Sequence, residues 1–265
     1  RRWPVCPARL AQIKHKAVGE KFAMTQDIVK ELAANGTLRA AINMSNPLLV
    51  TGGRDSGDPI GVSPDMARAV AERLGVAIEY VKFPNPGAVA DAIGDDAWDI
   101  GLIGAEPARA KTIAFSKAYT EIEATYLVPE GSSLTAIDQV DRPGIRIAVS
   151  DRSAYDLYLT RTLQHAELHR AKGLAGALEL YTSGNFDALA GLRPALNEDI
   201  LKLPGAKILD GYYATVQQAI GTKPENKAAI PFLEAFVKEA RESGLVAELI
   251  KRHGVEGRLI VASGY

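Results

Sequence analysis

The chain of 265 residues has an ordinary globular composition, 47% hydrophobic and 24% charged, which excludes disordered and collagen-like classes of protein. Its formal net charge of -1 at pH 7 provides no excess of cations to neutralise phosphates, so we expect no nucleic-acid partner. No stretch approaches the roughly 18 consecutive apolar residues of a membrane span, so direct membrane insertion is not expected, and the single cysteine, Cys6, can form no internal disulfide.

Residues 1–35 are predicted to be an N-terminal extension that ends in a short helix at 28–32, stopped by Asn35 and Gly36. Residues 1–23 are rich in Lys and Arg but lack the apolar segment that forms the centre of a signal peptide. Met24 directly precedes the first amphipathic stretch, so a translation start at Met24 is an alternative. Export would then need a signal that these residues do not contain.

The stretch from residue 38 to residue 105 alternates strand-like and helix-like patterns. Ser63 followed by Pro64 is typical of a helix start, with Ser63 as the N-cap, and Gly75 is typical of a helix end. The other predicted elements are strands at 38–43, 78–83 and 99–105 and a helix at 88–94. This β-α-β-α-β order is typical of a parallel sheet with helices on both faces.

A second set of the same kind follows after residue 128. Its predicted elements are strands at 146–150, 166–171 and 186–192 and helices at 153–163 and 173–184. A strand at 213–221 and helices at 229–244 and 245–254 complete the chain. We therefore predict an α/β protein with two lobes, each a mainly parallel sheet flanked by helices, joined by two hinge strands with a ligand cleft between the lobes. Lobe 1 is predicted to comprise 36–125 and 217–265, and lobe 2 to comprise 126–216.

Several motifs along the chain occur in an order that is specific to one family. They read GTLRAAIN, NPLL, GVSPDMARAVAERLGV, WDIGLIGA and EPARAKTIAFSKAY, within a match from about Gly36 to Gly254. This series resembles the bacterial extracellular solute-binding proteins of family 3, which serve polar amino acid ABC transporters. The resemblance implies a type II periplasmic-binding-protein-like fold, a small carboxylate-bearing ligand, a transporter permease as partner, a periplasmic location and no catalysis. We expect a monomer, and a cytoplasmic location is the alternative if translation starts at Met24.

The resemblance assigns a ligand-binding role to Arg109. In the family, the arginine at this position holds the ligand carboxylate, and a guanidinium suits that role because its planar fork matches a carboxylate with two hydrogen bonds. Ser153 stands where the family has a hydroxyl residue that contacts the same carboxylate, and it is also a plausible N-cap for the following helix. Gly104 is expected to let backbone N–H groups approach the ligand closely.

Other positions depart from the family pattern. Leu192 occupies the place of the aspartate that pairs with the ligand ammonium, and Asn43 replaces a frequent acidic residue. The positive charge of Arg109 therefore lacks its usual acidic counterpart. One interpretation is a doubly anionic or non-amino carboxylate ligand, bound with help from Arg193 or Arg152. The alternative is an amino acid whose ammonium is bound by Glu106 or Glu123.

Two other functions stay open at the level of sequence. Some enzymes resemble this family, the cyclohexadienyl dehydratases, and Glu106, Glu123 or Asp151 are the acids that such an enzyme would need. A sensor or ligand-binding module that is not linked to transport is the third option. His165 and His169 frame an H-A-E-L-H spacing, but they lie in a predicted strand and lack a third ligand, so no metal and no cofactor are predicted.

Overall fold

The computed structural model describes residues 25–55 and 57–264 of the chain. Most of the predicted N-terminal extension, with Cys6 and Met24, lies outside the described residues. A helix covers residues 25–32 (α1), so the helix predicted at 28–32 is confirmed and is longer than expected. The carboxylate of Glu31 in α1 accepts hydrogen bonds from the backbone N–H groups of Ala228 (3.0 Å) and Ala229 (2.8 Å), which attaches α1 to the start of a later helix.

The elements follow the predicted alternation of strands and helices. In the described ranges the strands are β1 (Thr37–Asn43), β2 (Ala77–Phe83), β3 (Ile100–Gly104), β4 (Ala114–Val128), β5 (Arg146–Ser150), β6 (Glu167–Ala171), β7 (Ala188–Leu192), β8 (Lys207–Ile208), β9 (Ala214–Thr222) and β10 (Ile260–Val261). The helices after α1 are α2 (Val62–Leu74), α3 (Pro86–Asp91), α4 (Ala154–Thr162), α5 (Gly173–Ser183), α6 (Arg193–Asp199), α7 (Ala229–Glu242) and α8 (Leu245–Arg252). None of the helices in the described ranges is long and apolar enough to cross a membrane.

A group of three parallel strands forms the centre of each lobe, and β9 and β4 join the two groups into one continuous ten-stranded sheet among the described residues. In lobe 1, strand β1 pairs in parallel with β2 and β3, and helices α2, α3, α7 and α8 belong to this lobe. In lobe 2, strand β5 pairs in parallel with β6 and β7, and helices α4 to α6 belong to it. The parallel strand pairing predicted for both lobes is thus confirmed.

Two long strands connect the lobes. β4 pairs antiparallel with β9 from Ala114 to Ala124 and continues antiparallel to β7 up to Leu127, so it passes from one lobe into the other. β9 returns the chain to lobe 1, where it also pairs antiparallel with β3. The two predicted hinge strands are therefore present, whereas the predicted lobe boundaries at residues 125/126 and 216/217 stay predictions.

The two predicted helix caps have different outcomes. Ser153 caps α4 as expected, because its Oγ accepts a hydrogen bond from the backbone N–H of Asp156 (3.1 Å). The prediction for Ser63 is wrong: α2 begins at Val62, and the Ser63 hydroxyl instead hydrogen bonds to the buried hydroxyl of Tyr119 (2.7 Å). A tertiary contact to a buried phenol therefore replaces the local cap.

The strand ends direct the chain toward the space between the lobes. Asn43 and Gly104 end two neighbouring parallel strands of lobe 1, and Ser150 and Leu192 end two neighbouring parallel strands of lobe 2. All four residues line one cavity between the lobes. In open α/β sheets ligands bind at the carboxyl ends of the strands, so this cavity is where a ligand is expected.

Candidate ligand-binding site

The interlobe cavity has a volume of about 50 Å³. Since one buried water needs roughly 10–15 Å³ of such space, the cavity has room for a few non-hydrogen atoms with the lobes in this arrangement. Residues from both lobes line it: Asn43, Ser45, Asn46, Asn85, Pro86, Gly104, Arg109, Ser150, Asp151, Ser153, Ala154, Tyr155, Gly173, Leu174, Leu192, Val216 and Gln218.

Arg109 lies on the cavity wall and is only 5% exposed. Its Nη1 donates a hydrogen bond to the carbonyl of Gly104 (2.7 Å), and its Nη2 donates to the carbonyl of Arg152 in lobe 2 (2.9 Å). A guanidinium has five N–H donors, so three have no hydrogen-bond partner among the described residues. No carboxylate of a described residue forms an ion pair with Arg109.

Burial changes the pKa of the Arg109 guanidinium. Loss of water around the charged form lowers the pKa of Arg109 to about 10, an effect that nearby Glu106 opposes and Arg152 increases. The side chain is still protonated at neutral pH. A buried cation without a bonded anion destabilises a protein by several kcal/mol, on the order of 3–5 when a pair has been broken. An anionic ligand would offset this cost.

Three asparagines of lobe 1 line the cavity, and their side-chain oxygens accept local hydrogen bonds. The Oδ1 of Asn43 accepts from the backbone N–H (3.1 Å) and the hydroxyl (2.8 Å) of Ser45. The Oδ1 atoms of Asn46 and Asn85 accept from backbone N–H groups of the segments that follow them, at 3.0 and 2.8 Å. The NH₂ groups of the three side chains have no hydrogen-bond partner among the described residues, so they are available as donors to a ligand. The wall of lobe 1 is therefore cationic and rich in donors.

Lobe 2 lines the cavity with hydroxyl groups and one acid. Ser153 lies at the start of α4, and buried Tyr155 is next to it. Burial raises the pKa of Tyr155 to about 12, although hydrogen bonds with Ser153 and Ser150 oppose the shift, so the phenol is neutral at pH 7. Asp151 is the one carboxylate among the residues that line the cavity.

Four of the eight residues predicted to bind ligand line this cavity: Arg109, Ser153, Asn43 and Gly104. The other four do not line it, and each forms an ion pair with a residue that does not line it either. Arg193 and Glu123 pair with each other (2.6 Å), Glu106 pairs with Arg161 (2.5 Å), and Arg152 pairs with Asp91 (2.6 Å). The idea that Arg193 and Arg152 supply extra positive charge to the ligand, or that Glu106 and Glu123 bind its ammonium, is therefore not supported by their positions.

Gly104 has a steric role that was not predicted. A Cβ at this position would lie 3.0 Å from the Cβ of Ala154 in lobe 2 and 3.0 Å from Cγ1 of Val216. Its carbonyl, rather than its N–H, meets the guanidinium of Arg109. The absence of a Cβ at Gly104 therefore lets the two lobes approach each other beside Arg109.

Sequence reasoning missed Asn46 and Asn85. Each directly precedes a proline in the segment after a strand of lobe 1, at 46–47 after β1 and at 85–86 after β2. An Asn-Pro pair is a turn or helix-start signal, and Asn85 does cap α3. Since the two signals follow neighbouring parallel strands, they would have placed both amides at the same edge of the sheet.

Comparison with known proteins agrees with this geometry. The model of the family "Bacterial extracellular solute-binding proteins, family 3" matches residues 38–256. A search of curated proteins found no match. Among solved structures, a mutant of ArgBP from T. maritima is similar with a TM-score of 0.69 and 20% identity, covering 86% of this chain and 100% of that chain.

Two further structures are similar at the same level. AbpA from Streptococcus pneumoniae, described as an amino acid ABC transporter substrate-binding protein bound to L-arginine, gives a TM-score of 0.68 at 17% identity and covers 84% of this chain and 96% of that chain. The ancestral amino acid-binding protein AncCDT-1, described as a precursor of cyclohexadienyl dehydratase, gives a TM-score of 0.68 at 19% identity. It covers 84% of this chain and 98% of that chain.

These neighbours have the two-lobed type II periplasmic binding fold, so the predicted fold class is confirmed. The family match includes every residue that lines the cavity and the elements from β1 to α8, apart from the first residue of β1, whereas α1 and β10 lie outside it. The chain belongs to the bacterial extracellular solute-binding proteins of family 3.

Proposed function

We propose that this protein is the solute-binding component of an ABC transporter and that its two lobes close on a small carboxylate-bearing ligand. The observation that carries the proposal is Arg109, a buried guanidinium that lines the interlobe cavity and has no carboxylate partner among the described residues. A ligand that contacts both lobes binds the closed arrangement better than the open one and so shifts the equilibrium toward closure. A transporter permease as partner and a periplasmic location follow from the same proposal.

The cavity chemistry supports a small amino acid as ligand. The three free N–H donors of Arg109 and the amides of Asn43, Asn46 and Asn85 suit a carboxylate. Asp151, the one acid of the lining, suits an ammonium and would replace the family aspartate that is Leu192 here. The cavity volume of about 50 Å³ and the lack of a second lining acid favour a short, uncharged side chain over one the size of arginine.

A thermal-shift screen followed by titration calorimetry tests the proposal. The screen comprises the twenty amino acids and, for the small ones, the carboxylic acids that lack the amino group. We expect one or more small amino acids to raise the Tm and to bind with a dissociation constant in the micromolar range. That range corresponds to a binding free energy of about -8 kcal/mol. If no carboxylate-bearing compound of the screen binds, the proposal is wrong.

Catalysis as in the cyclohexadienyl dehydratases is the second candidate, favoured by the structural similarity to AncCDT-1. Such an enzyme needs an acid beside the leaving hydroxyl. Glu106 and Glu123 are held in ion pairs outside the lining, which leaves Asp151 alone. Incubation with prephenate or arogenate, followed by ultraviolet absorbance, is expected to give no product. Formation of product that disappears in Asp151→Asn would favour the enzyme instead.

A further inference from the structure

We propose that Arg152 is a positioning residue: its carbonyl holds the Arg109 guanidinium, and its side chain favours closure of the lobes. This inference rests on the proposed binding function. Arg152 lies in lobe 2, between β5 and α4. Its carbonyl accepts a hydrogen bond from the Arg109 guanidinium (2.9 Å), while its own guanidinium reaches across to Asp91 in lobe 1. One residue therefore makes both contacts.

The contact with Asp91 has the geometry of a strong pair. Nη1 of Arg152 donates to one carboxylate oxygen and Nη2 to the other, both at 2.6 Å. Two parallel hydrogen bonds of this kind give a charge pair geometric specificity as well as strength. These hydrogen bonds also lower the pKa of the Asp91 carboxyl. Lobes that move apart must break both bonds.

Both lobes are shaped locally for this side chain. Arg152 has φ 55, a left-handed conformation that favours glycine, yet it bears a long side chain there. On the facing side, a Cβ at Gly87 would lie 3.0 Å from Cζ and 3.0 Å from Nε of Arg152. The Arg152 side chain thus lies close to the backbone of α3 at Gly87, where an added Cβ would force it to shift by a few tenths of an ångström.

The ion pair between Arg152 and Asp91 involves only residues of the chain, so this bridge between the lobes favours closure whether or not a ligand is bound. The apparent affinity of a ligand increases with the fraction of protein that is in the binding-competent state. Glu106 and Arg161 form a second pair between the lobes at 2.5 Å, so loss of Arg152 weakens closure without abolishing it. Arg152 thereby contributes to affinity without lining the cavity.

The variants Arg152→Gly, Asp91→Asn and the double variant test the coupling. Small-angle scattering of the ligand-free protein, which needs no knowledge of the ligand, is expected to show a larger radius of gyration for all three. Affinity for the best amino acid of the screen should fall about threefold to fivefold in each, because the pair is solvent-exposed. The double variant should lose no more than Arg152→Gly alone.

Two controls separate this role from a structural one. Arg73 and Glu239 form a comparable two-bond pair within lobe 1 (2.9 and 2.6 Å), so Glu239→Gln should change neither radius nor affinity. The unfolding free energy of Arg152→Gly should change little, because glycine accepts φ 55 without strain and this gain offsets the loss of a solvent-exposed ion pair.

An unchanged radius of gyration in Arg152→Gly, or additive losses in the double variant, would overturn the inference. If no compound of the screen binds but the radius still increases, the bridge holds the lobes together and the proposed binding function is what fails. Retained affinity together with a lower unfolding free energy would assign Arg152 a structural role only.

Discussion

The two walls of the cavity differ in chemistry although both are built from the ends of parallel strands. Lobe 1 contributes a buried guanidinium, Arg109, and three asparagine amides. Lobe 2 contributes hydroxyl groups, the acid Asp151 and the apolar side chains Leu174 and Leu192. If the proposed function is correct, lobe 1 recognises the carboxylate and lobe 2 completes the site on closure. A ligand is then expected to dock on lobe 1 first.

The largest effect is expected from Arg109→Ala. Removing the guanidinium eliminates the only cation that lines the cavity among the described residues, so affinity for the best ligand should fall by at least about 100-fold in calorimetry. The fold should persist, because the substitution also removes the cost of a buried charge. Arg193→Ala is the matched control: its side chain pairs with Glu123 away from the lining, and affinity should change less than about threefold. Equal losses of affinity in both variants would contradict the assignment of carboxylate binding to Arg109.

Asp151→Asn examines the lobe 2 wall. The carboxamide keeps the shape of the side chain but removes the negative charge that would hold an ammonium. We expect about a tenfold loss of affinity for an amino acid and no loss for the matched carboxylic acid that lacks the amino group. If both compounds are affected equally, Asp151 does not bind the ammonium.

A pair of glycine variants separates closure from folding. In Gly104→Ala the added Cβ meets Ala154 of lobe 2, so the lobes should close less well and affinity should fall about threefold while stability changes little. In Gly101→Ala the Cβ lies 3.1 Å from the buried ring of Trp98 within lobe 1. The free energy of unfolding of that variant should fall by about 1–3 kcal/mol, while its affinity for ligand should not change. Chemical denaturation and calorimetry on both variants measure this contrast, and the reverse pattern would contradict it.

The smallest effect concerns pH. Burial lowers the pKa of Arg109 to about 10, and a carboxylate binds only the protonated guanidinium. Affinity for a carboxylic acid without an amino group should be constant from about pH 6 to 9 and fall as pH rises through 10, by less than about twofold at pH 9.5. Displacement titrations measure this decline, and a decline that begins near pH 8 would contradict the assignment to Arg109.

Elements and caps were predictable where the signals are local. The strand at 146–150 and the cap at Ser153 depend on adjacent residues, and both are present in the structure. The same argument was wrong for Ser63, whose hydroxyl meets Tyr119 from a distant strand. Local patterns carry no information about such tertiary partners.

The candidate site was predictable only in part, for a related reason. The family resemblance of the surrounding motifs was enough to place Arg109 and Asn43 at the cleft, where Asn43 ends β1 and Arg109 follows β3. Whether a charged residue near that edge lines the cavity depends on its partner across the lobes. Arg152 pairs with Asp91, 61 residues earlier, and Glu106 with Arg161, 55 residues later, and no local pattern predicts either contact.

The most direct test is a crystal structure of the protein in complex with the best amino acid of the screen. The account predicts the ligand between the lobes, with carboxylate oxygens about 2.7–2.9 Å from the free N–H groups of Arg109 and its ammonium beside Asp151. A ligand bound elsewhere, or one whose carboxylate does not contact Arg109, would contradict it.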